Sequence, residues 1–209
     1  MARPVAADAV ATKSRILHSA LALVADNGIE GTSIRDVAAG AKVSLATVLH
    51  YYGSKDGLYQ ACVDSMYQEL EQMRASLFAT LRPGVPVPEL IADAVRVAVQ
   101  FIQQHRTAHR ILMRMMIDEG GMRPDRRENW LRPFLTDIGA LLAPLLGLPV
   151  ARVRMTAQTI VHLAVRYSLH NAAELHIITG VEDDDGARAA IENHIIDVAH
   201  AMLSPPRSP

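Results

Sequence analysis

Apolar residues recur at helical spacing along most of the chain, and the pattern stops at clusters of proline, glycine and capping residues. The first predicted helix begins at Thr12 and ends at Asn27-Gly28, a typical helix C-terminus. Later helices are predicted over residues 54–81, 89–104, 107–119, 150–179 and 183–203. A linker at 82–88 and a kinked segment between Pro124 and Pro133 interrupt them. We find no strand-like alternation and no internal repeat, so the pattern predicts an all-α fold of about nine helices.

Residues 33–52 have the pattern of two short helices joined by a tight turn. Ser33 is a good N-cap for the first helix, with Asp36 three residues later, and Ser44 is the N-cap of the second. The segment 40–43 is a natural turn between them. Two helices this short bury little surface alone, so a helix from Lys13 to Ala25 is expected to pack behind them. The pattern predicts a helix-turn-helix.

Residues 12–59 resemble the N-terminal DNA-binding domain of the TetR family of bacterial transcriptional regulators. The residues that carry the resemblance are Ala20, Leu21, Gly28, Thr32, Ser33, Ile34, Asp36, Val37, Ala38, Val43, Ser44, Thr47, His50, Tyr51, Tyr52, Ser54, Lys55, Leu58 and Tyr59. The resemblance implies a flexible arm at 1–11, a DNA-binding domain at 12–59 and a helical ligand-binding and dimerisation domain at 60–203, followed by a tail at 204–209. The chain departs from the family pattern at Ala46, Leu49 and Gly57, which makes the operator sequence less predictable.

The second helix of a helix-turn-helix reads base edges with its N-terminal residues. In this chain those residues are Ser44, Leu45, Ala46 and Thr47, with His50 one turn further on. A threonine hydroxyl can bond base edges, and apolar side chains can contact thymine methyl groups. Phosphate contacts are predicted for Ser33, Tyr51 and Lys55. Tyr52 is expected to fill the core, and Tyr51 to be exposed.

Methionine, aromatic and histidine side chains in the middle helices suit an adaptable pocket for a small molecule with a substantial apolar part. The candidates for lining it are Phe101, His105, His109, Met113, Met116, Trp130, Phe134, His162, Arg166 and His170. An ordinary core uses the same residue types. His105 and His109 also have metal-ligand spacing, but no acid or cysteine signature accompanies them, and we expect no metal and no cofactor. Arg166 or His170 could meet an anionic group of the ligand.

The resemblance also implies a homodimer in which the last two long helices pair with those of a second copy. The candidates for this interface are Ile160, Val161, Ala164, Val165, Ser168, Ala172, Ile191, Ile195, Ile196 and Ala199. These residues give more apolar surface than one intramolecular side needs. The alternative is that all of it belongs to the core of one chain.

Composition narrows the function classes. Half of the residues are hydrophobic, 4% are aromatic and the net charge is −1, so DNA affinity must come from placement of charge rather than from bulk charge. Residues 1–60 contain six Lys or Arg and five Asp or Glu, an excess of one positive charge. The lone cysteine, Cys62, excludes a disulfide within the chain, and its expected role is packing rather than redox sensing. Without a signal-peptide pattern or a long apolar run, the sequence predicts a cytoplasmic protein that uses no membrane.

These observations together predict a DNA-binding transcriptional regulator, a repressor released from a palindromic operator by a small molecule. Two alternatives keep the DNA role: the ligand acts as a corepressor, or the protein is an activator. A third alternative is a helical small-molecule-binding protein or enzyme with a non-functional head. No nucleophile–base pair or paired-carboxylate pattern supports an enzyme, so none is expected.

Overall fold

The computed structural model of the protein describes residues 5–80, 84–118 and 120–204, and it contains helices and no strand within these ranges. The all-α prediction is confirmed. The helices are α1 Val5–Asn27, α2 Ile34–Ala41, α3 Leu45–Tyr52, α4 Lys55–Thr80, α5 Val87–Gln104, α6 Arg106–Asp118, α7 Pro124–Arg126, α8 Arg132–Leu146, α9 Val150–Ser168, α10 Ala172–Thr179 and α11 Asp184–Leu203.

The ends of the chain differ from the prediction. Helix α1 begins at Val5, so the predicted flexible arm is helical from residue 5 onward, and residues 1–4 lie outside the described ranges. The alanine-rich composition of this segment explains the difference, because alanine has the highest helix propensity. Of the predicted linker and tail, residues 82–83 and 205–209 lie outside the described part of the chain.

The predicted helix over residues 150–179 is two helices. Helix α9 ends at Ser168, and α10 starts after Asn171. Asn171 and Glu174 form a reciprocal capping box in which each side chain accepts a hydrogen bond from the other residue's backbone N–H, both at 2.9 Å. This box satisfies amides that an uninterrupted helix would have bonded internally. Its Asn-x-x-Glu spacing was present in the sequence, and the apolar periodicity on both sides of it concealed the break.

The segment around Trp130 is irregular, as predicted, and its irregularity is a π-helical turn over Arg127–Leu131 that leads into α8. Trp130 is buried and stacks on Phe134, with ring centroids 5.5 Å apart. One extra residue in a helical turn rotates the residues that follow. The stacked rings lie across the junction between the π-helical turn and α8.

The chain forms two compact units. The first contains the chain up to Leu70 together with Thr107–Gly121, and the second contains Glu71–Arg106 and the chain from Met122 onward. In the second unit α5, α9 and α11 contact one another, and α9 also packs against α8. The predicted division after residue 59 follows the sequence motif and stays a prediction.

In the described part of the chain, no single helix has the length and apolar character to span a membrane. One bent pair, Pro124–Leu146 with Val150–Ser168 at 116°, meets the length and composition requirement only when the two are taken together.

Candidate nucleic-acid interface

Helices α1, α2, α3 and the first turns of α4 share one apolar core in the first unit. Its buried members are Ile16, Ala20, Val37, Ala38, Ala41, Val48, Leu58 and Cys62. Cys62 is fully buried, and burial raises the pKa of its thiol to about 12. The packing interpretation of this cysteine is therefore confirmed, because the reactive species is the thiolate. The core holds α2 and α3 in fixed positions from behind.

Both short helices have side-chain caps where the sequence predicts them. Ser33 Oγ accepts a hydrogen bond from the Asp36 amide at 3.1 Å and donates to the Asp36 carboxylate at 2.6 Å. Ser44 Oγ accepts from the Thr47 amide at 3.0 Å and lies 2.8 Å from Thr47 Oγ1. Each cap satisfies an amide that has no partner within its helix, so α2 and α3 begin at fixed residues.

Helix α3 presents one face to solvent. Val48 is fully buried, whereas Leu45 is 40% exposed, Leu49 is 38% exposed, and Ala46 and His50 are also exposed. Apolar side chains at such exposure are not needed for the core behind them. The predicted base-reading residues therefore lie on an accessible face, and Thr47 is half-buried at its edge.

The turn between α2 and α3 is built differently from the way its sequence suggests. Gly40 lies inside α2, and Lys42 takes the left-handed conformation that closes the helix, with φ 57°. A β-carbon on Gly40 would lie 2.4 Å from Ser19 Oγ on α1. The glycine is therefore needed for the close approach of α1 and α2, and the lysine adopts the conformation that glycine usually takes at a helix end.

Tyr51 and Tyr52 at the end of α3, and Gly57 in the first turn of α4, determine how these two helices follow each other. Tyr52 donates from its hydroxyl to the Lys13 carbonyl at 3.0 Å, and both Tyr51 and Tyr52 pack against the core. Tyr51 is half-buried rather than exposed as predicted, and its ring contacts His50 edge-on. A β-carbon at Gly57 would lie 2.1 Å from the Tyr52 carbonyl oxygen, which explains why no better helix former occupies this position.

Lys55, a predicted phosphate contact, is half-buried in the first turn of α4. Its Nζ lies 3.5 Å from the Glu30 carbonyl, at the limit of a hydrogen bond. A single long bond to a neutral oxygen leaves the charge of the ammonium uncompensated by that partner. Ser33 is exposed at the start of α2.

Two arginines of α6 hold the C-terminal end of α1, a contact that the sequence did not predict. Arg114 donates from Nε to the Ala25 carbonyl at 3.1 Å and from a terminal nitrogen to the Asp26 carbonyl. Arg110 pairs with the Asp26 carboxylate at 2.6 Å. The last carbonyls of a helix lack internal donors and carry partial negative charge, so guanidinium groups stabilise this end. In the sequence, the four-residue spacing of Arg110 and Arg114 is the feature that could have indicated this contact.

The second unit contains an apolar pocket of about 90 Å³. Its walls come from the end of α4 and from α5, α8, α9 and α11, and include Leu77, Leu90, Ile91, Phe134, Ile138, Leu142, Val153, Thr156, Ala157 and Ile160. Thr156 is the only hydrogen-bonding side chain among the lining residues. We call this site the apolar pocket.

Of the predicted pocket residues, Phe134 lines the apolar pocket, and the others lie elsewhere. Phe101 stacks on His105 with ring centroids 4.0 Å apart, and Trp130 packs against Phe134 from outside the lining. His109 is buried in the first unit, where Met113 and Met116 are half-buried on the same helix. His162 and Arg166 are exposed on α9, and His170 lines a different pocket. The predicted residues are spread in this way because periodicity shows which residues face inward but not where packing leaves space, and their role in ligand binding stays a prediction.

Most of the predicted dimer-interface residues are buried within the single chain, and their role in an interface stays a prediction. They are Ile160, Ala164, Val165, Ile191, Ile195, Ile196 and Ala199. Contacts among α5, α9 and α11 cover these side chains. The sequence could not show that α5 packs against α9 and α11. Val161, Ser168 and Ala172 are half-buried, and their role in an interface stays a prediction.

No group of three or more His, Cys, Asp or Glu side chains is arranged to hold a metal ion in the part of the chain that the structure describes.

An accessible, capped second helix on a three-helix core defines a helix-turn-helix DNA-binding protein. The sequence profile for bacterial regulatory proteins of the tetR family matches residues 16–62. Residues 16–62 are therefore a DNA-binding domain of the TetR type.

Curated relatives and a solved structure extend the likeness. The chain is 37% identical over 59 residues to a Bacillus subtilis protein named "Probable HTH-type transcriptional regulator YttP", which covers 28% of each chain. It is 29% identical over 110 residues to the HTH-type transcriptional regulatory protein RaaS of Mycobacterium tuberculosis, covering 50% of this chain and 51% of RaaS. The chain thus matches about a quarter and about half of these relatives' lengths. A tetR-family regulatory protein from Rhodococcus RHA1 shares the fold with a TM-score of 0.67 at 16% identity, over 93% of this chain and 98% of that one.

Proposed function

We propose that this protein is a homodimeric repressor that binds a palindromic operator in double-stranded DNA and is released by a small molecule bound in its second unit. The observation that carries the DNA role is the exposed face of α3, whose first turn is fixed by the Ser44 cap and backed by Val48. A rigid helix with an accessible N-terminal half suits insertion into a major groove.

Thr47 is the residue that we assign to base reading. Ser44 Oγ accepts a hydrogen bond from the Thr47 backbone N–H and lies within hydrogen-bonding distance of Thr47 Oγ1. If the Ser44 hydroxyl donates to Thr47 Oγ1, the Thr47 hydrogen is free to point away from the helix toward a base acceptor. Leu45 and Ala46 add apolar contacts to thymine methyl groups, and His50 extends the face by one turn.

Lys55, Ser33 and Tyr51 are assigned to the phosphate backbone. Lys55 is supported by its place in the first turn of α4, where the backbone amides and the helix dipole also favour an anion. Such contacts set affinity and register without carrying sequence information.

The effector role is supported by the apolar pocket. A ligand with a substantial apolar part would bury its surface against Phe134, Ile138 and Leu142. Release from DNA requires that the effector bind the DNA-incompetent arrangement more tightly than the competent one. Helix α6 is the segment we assign to this coupling, since Arg110 and Arg114 hold α1 behind the helix-turn-helix.

The test is a fluorescence-anisotropy titration of the purified protein with its own upstream intergenic DNA and with scrambled DNA, each at two salt concentrations. Thr47→Ala is expected to reduce discrimination between the two DNAs by about tenfold, and Thr47→Ser, which keeps the hydroxyl, to retain most of it. Equal binding of both DNAs by the wild-type protein would overturn the assignment as a repressor that is released by its ligand.

Lys55→Ala is expected to weaken binding to both DNAs and to reduce the slope of log affinity against log salt by about one. Arg132→Ala is the matched control, since it removes an exposed positive charge that pairs with Glu128 in the second unit. An unchanged salt slope in Lys55→Ala would remove this residue from the phosphate contacts.

The same assay separates the alternatives. A ligand that strengthens DNA binding identifies a corepressor, and a transcription assay on the upstream promoter separates an activator from a repressor. Turnover of a bound small molecule, without selective DNA binding, would favour the helical enzyme or carrier.

A further inference from the structure

A second pocket, of about 70 Å³, lies in the same unit between α5, α9, α10 and α11. Its floor is apolar and includes Val99, Ala164 and Ile195, whereas its rim carries two arginines, Arg106 and Arg188. Tyr167, Ser168 and Asn171 add hydrogen-bonding groups to the rim. We call this site the basic pocket. Its lining differs in kind from that of the apolar pocket, which has a single hydrogen-bonding side chain.

The two pockets follow each other along the same three helices. On α5, Val95 lines the apolar pocket and Val99 the basic one, and on α9 the same holds for Ile160 and Ala164. On α11 the order is reversed, with Ala199 at the apolar pocket and Ile195 at the basic pocket. Each pair is four residues apart, which is about one helical turn or ~6 Å. The two pockets are therefore neighbours along all three helices.

The two arginines are available to a ligand. In the described part of the chain, neither Arg106 nor Arg188 forms an ion pair with a carboxylate, and Arg106 makes one long bond, 3.4 Å, to the His170 carbonyl. By contrast, Arg96 on α5 pairs with Asp93 and Glu192. Two unpaired guanidinium groups at one rim favour an anion, and their planar forks match a carboxylate.

The charge around the pocket also limits the anion. Glu174 accepts a hydrogen bond from the Asn171 amide and lies 3.1 Å from His170 Nδ1, and both contacts lower the pKa of its carboxyl. Its negative charge therefore lies next to two rim residues, Asn171 and His170. Together with Glu174, the two arginines give this region a net charge of +1, which a singly charged carboxylate balances.

We propose that the two pockets together bind one amphipathic monocarboxylate, with its carboxylate between Arg106 and Arg188 and its alkyl chain in the apolar pocket. This proposal rests on the proposed function, because it gives the chemical class of the effector. Arg106 is also the first residue of α6, whose Arg110 and Arg114 hold α1. A carboxylate bound at Arg106 therefore acts at the start of the helix that we assign to coupling.

The test is isothermal titration calorimetry of the full chain with straight-chain carboxylates from butyrate to dodecanoate, below micelle-forming concentrations. The corresponding primary alcohols and decyl phosphate are titrated in parallel. Decanoate is expected to bind more tightly than butyrate, because the longer chain fills the apolar pocket, and more tightly than decanol, because the alcohol carries no charge. Tighter binding of decyl phosphate than of decanoate would overturn the choice of a monocarboxylate.

Variants test each end of the ligand. Arg188→Gln is expected to weaken decanoate binding by at least about tenfold and to leave decanol within about twofold, since it removes only a charge-assisted contact. Arg96→Gln is the control, since this arginine of α5 is not among the lining residues of either pocket, and it is expected to leave both affinities unchanged. Ala157→Leu, which fills the apolar pocket, should weaken long carboxylates but not butyrate, whereas Ala151→Leu at an exposed position of α9 should change neither.

DNA binding is measured separately on the same preparations. Selective DNA binding by the wild-type protein, with decanoate affinity insensitive to Arg188→Gln or with no binding of any carboxylate, would overturn this inference and leave the regulator assignment intact. Decanoate binding that depends on Arg188, without any selective DNA binding, would overturn the regulator assignment and keep the ligand site.

Discussion

Helices α3 and α9 use the same periodicity for opposite purposes. Helix α3 has eight residues, buries Val48 and leaves Leu45 and Leu49 exposed, so its functional face is its outer face. Helix α9 has nineteen residues, and the residues that line the two pockets are on its inner face, among them Ile160 and Ala164. In α3 the exposed residues assigned to base contacts, Leu45 and Ala46, are separate from the buried Val48, whereas in α9 the pocket-lining residues also belong to the core.

The outer face of α3 and the inner face of α9 are expected to tolerate substitutions differently. Substitutions on the outer face of α3 alter what the helix contacts without opening the core, and surface changes of this kind are usually close to neutral for stability. Substitutions on the inner face of α9, or on side chains packed against it, change the pocket and the core together. Specificity for DNA is therefore expected to vary more freely than specificity for the effector.

The largest expected effect is at the wall of the apolar pocket. Phe134 is 1% exposed and stacks on Trp130, and Phe134→Ala is expected to lower the free energy of unfolding by about 3–5 kcal/mol. Leu45→Ala on the outer face of α3 should cost no more than about 0.5 kcal/mol while still weakening DNA binding. Urea unfolding followed by circular dichroism gives both values. Comparable losses in the two variants would contradict the contrast between the helices.

The same contrast explains which features were predictable. The caps of α2 and α3 depend on residues three apart in the chain, Ser33 with Asp36 and Ser44 with Thr47, so local sequence contained them. Fold class and the helix-turn-helix followed from equally local patterns. The pocket walls instead join α5, α8, α9 and α11 across long sequence separations. Inward-facing histidines such as His109 looked like pocket residues because burial and pocket lining have the same periodicity.

Glycine positions show a second limit of local inference. The sequence placed the turn at residues 40–43, and the structure gives the turn conformation to Lys42 and a packing role to Gly40. The reason for Gly40 is Ser19, which is twenty-one positions away on α1, and no local pattern indicates such a pair. Gly57 is similar, since the Tyr52 carbonyl that excludes a side chain there belongs to a different helix.

The intermediate effect is at this α1–α2 contact. Gly40→Ala places a β-carbon 2.4 Å from Ser19 Oγ and is expected to lower the free energy of unfolding by about 1–3 kcal/mol through overpacking. In a Ser19→Ala background the obstructing oxygen is absent, so the same substitution should cost far less, or stabilise by up to ~1 kcal/mol through helix propensity. A double-mutant cycle from urea unfolding measures this coupling. An equal loss in both backgrounds would show that the close contact does not determine the choice of glycine.

The smallest expected effect is in the turn between α2 and α3, where Lys42 is exposed and also has the backbone conformation that closes α2. Lys42 has a left-handed backbone that costs most residues roughly 1–2 kcal/mol, so Lys42→Gly is expected to raise the free energy of unfolding by up to ~1 kcal/mol. Lys42→Ala removes the same charge but keeps the strain, and it should give no gain. If both variants weaken DNA binding equally, the lysine contributes through its charge. A gain in Lys42→Ala equal to that in Lys42→Gly would mean that backbone strain at this turn is negligible.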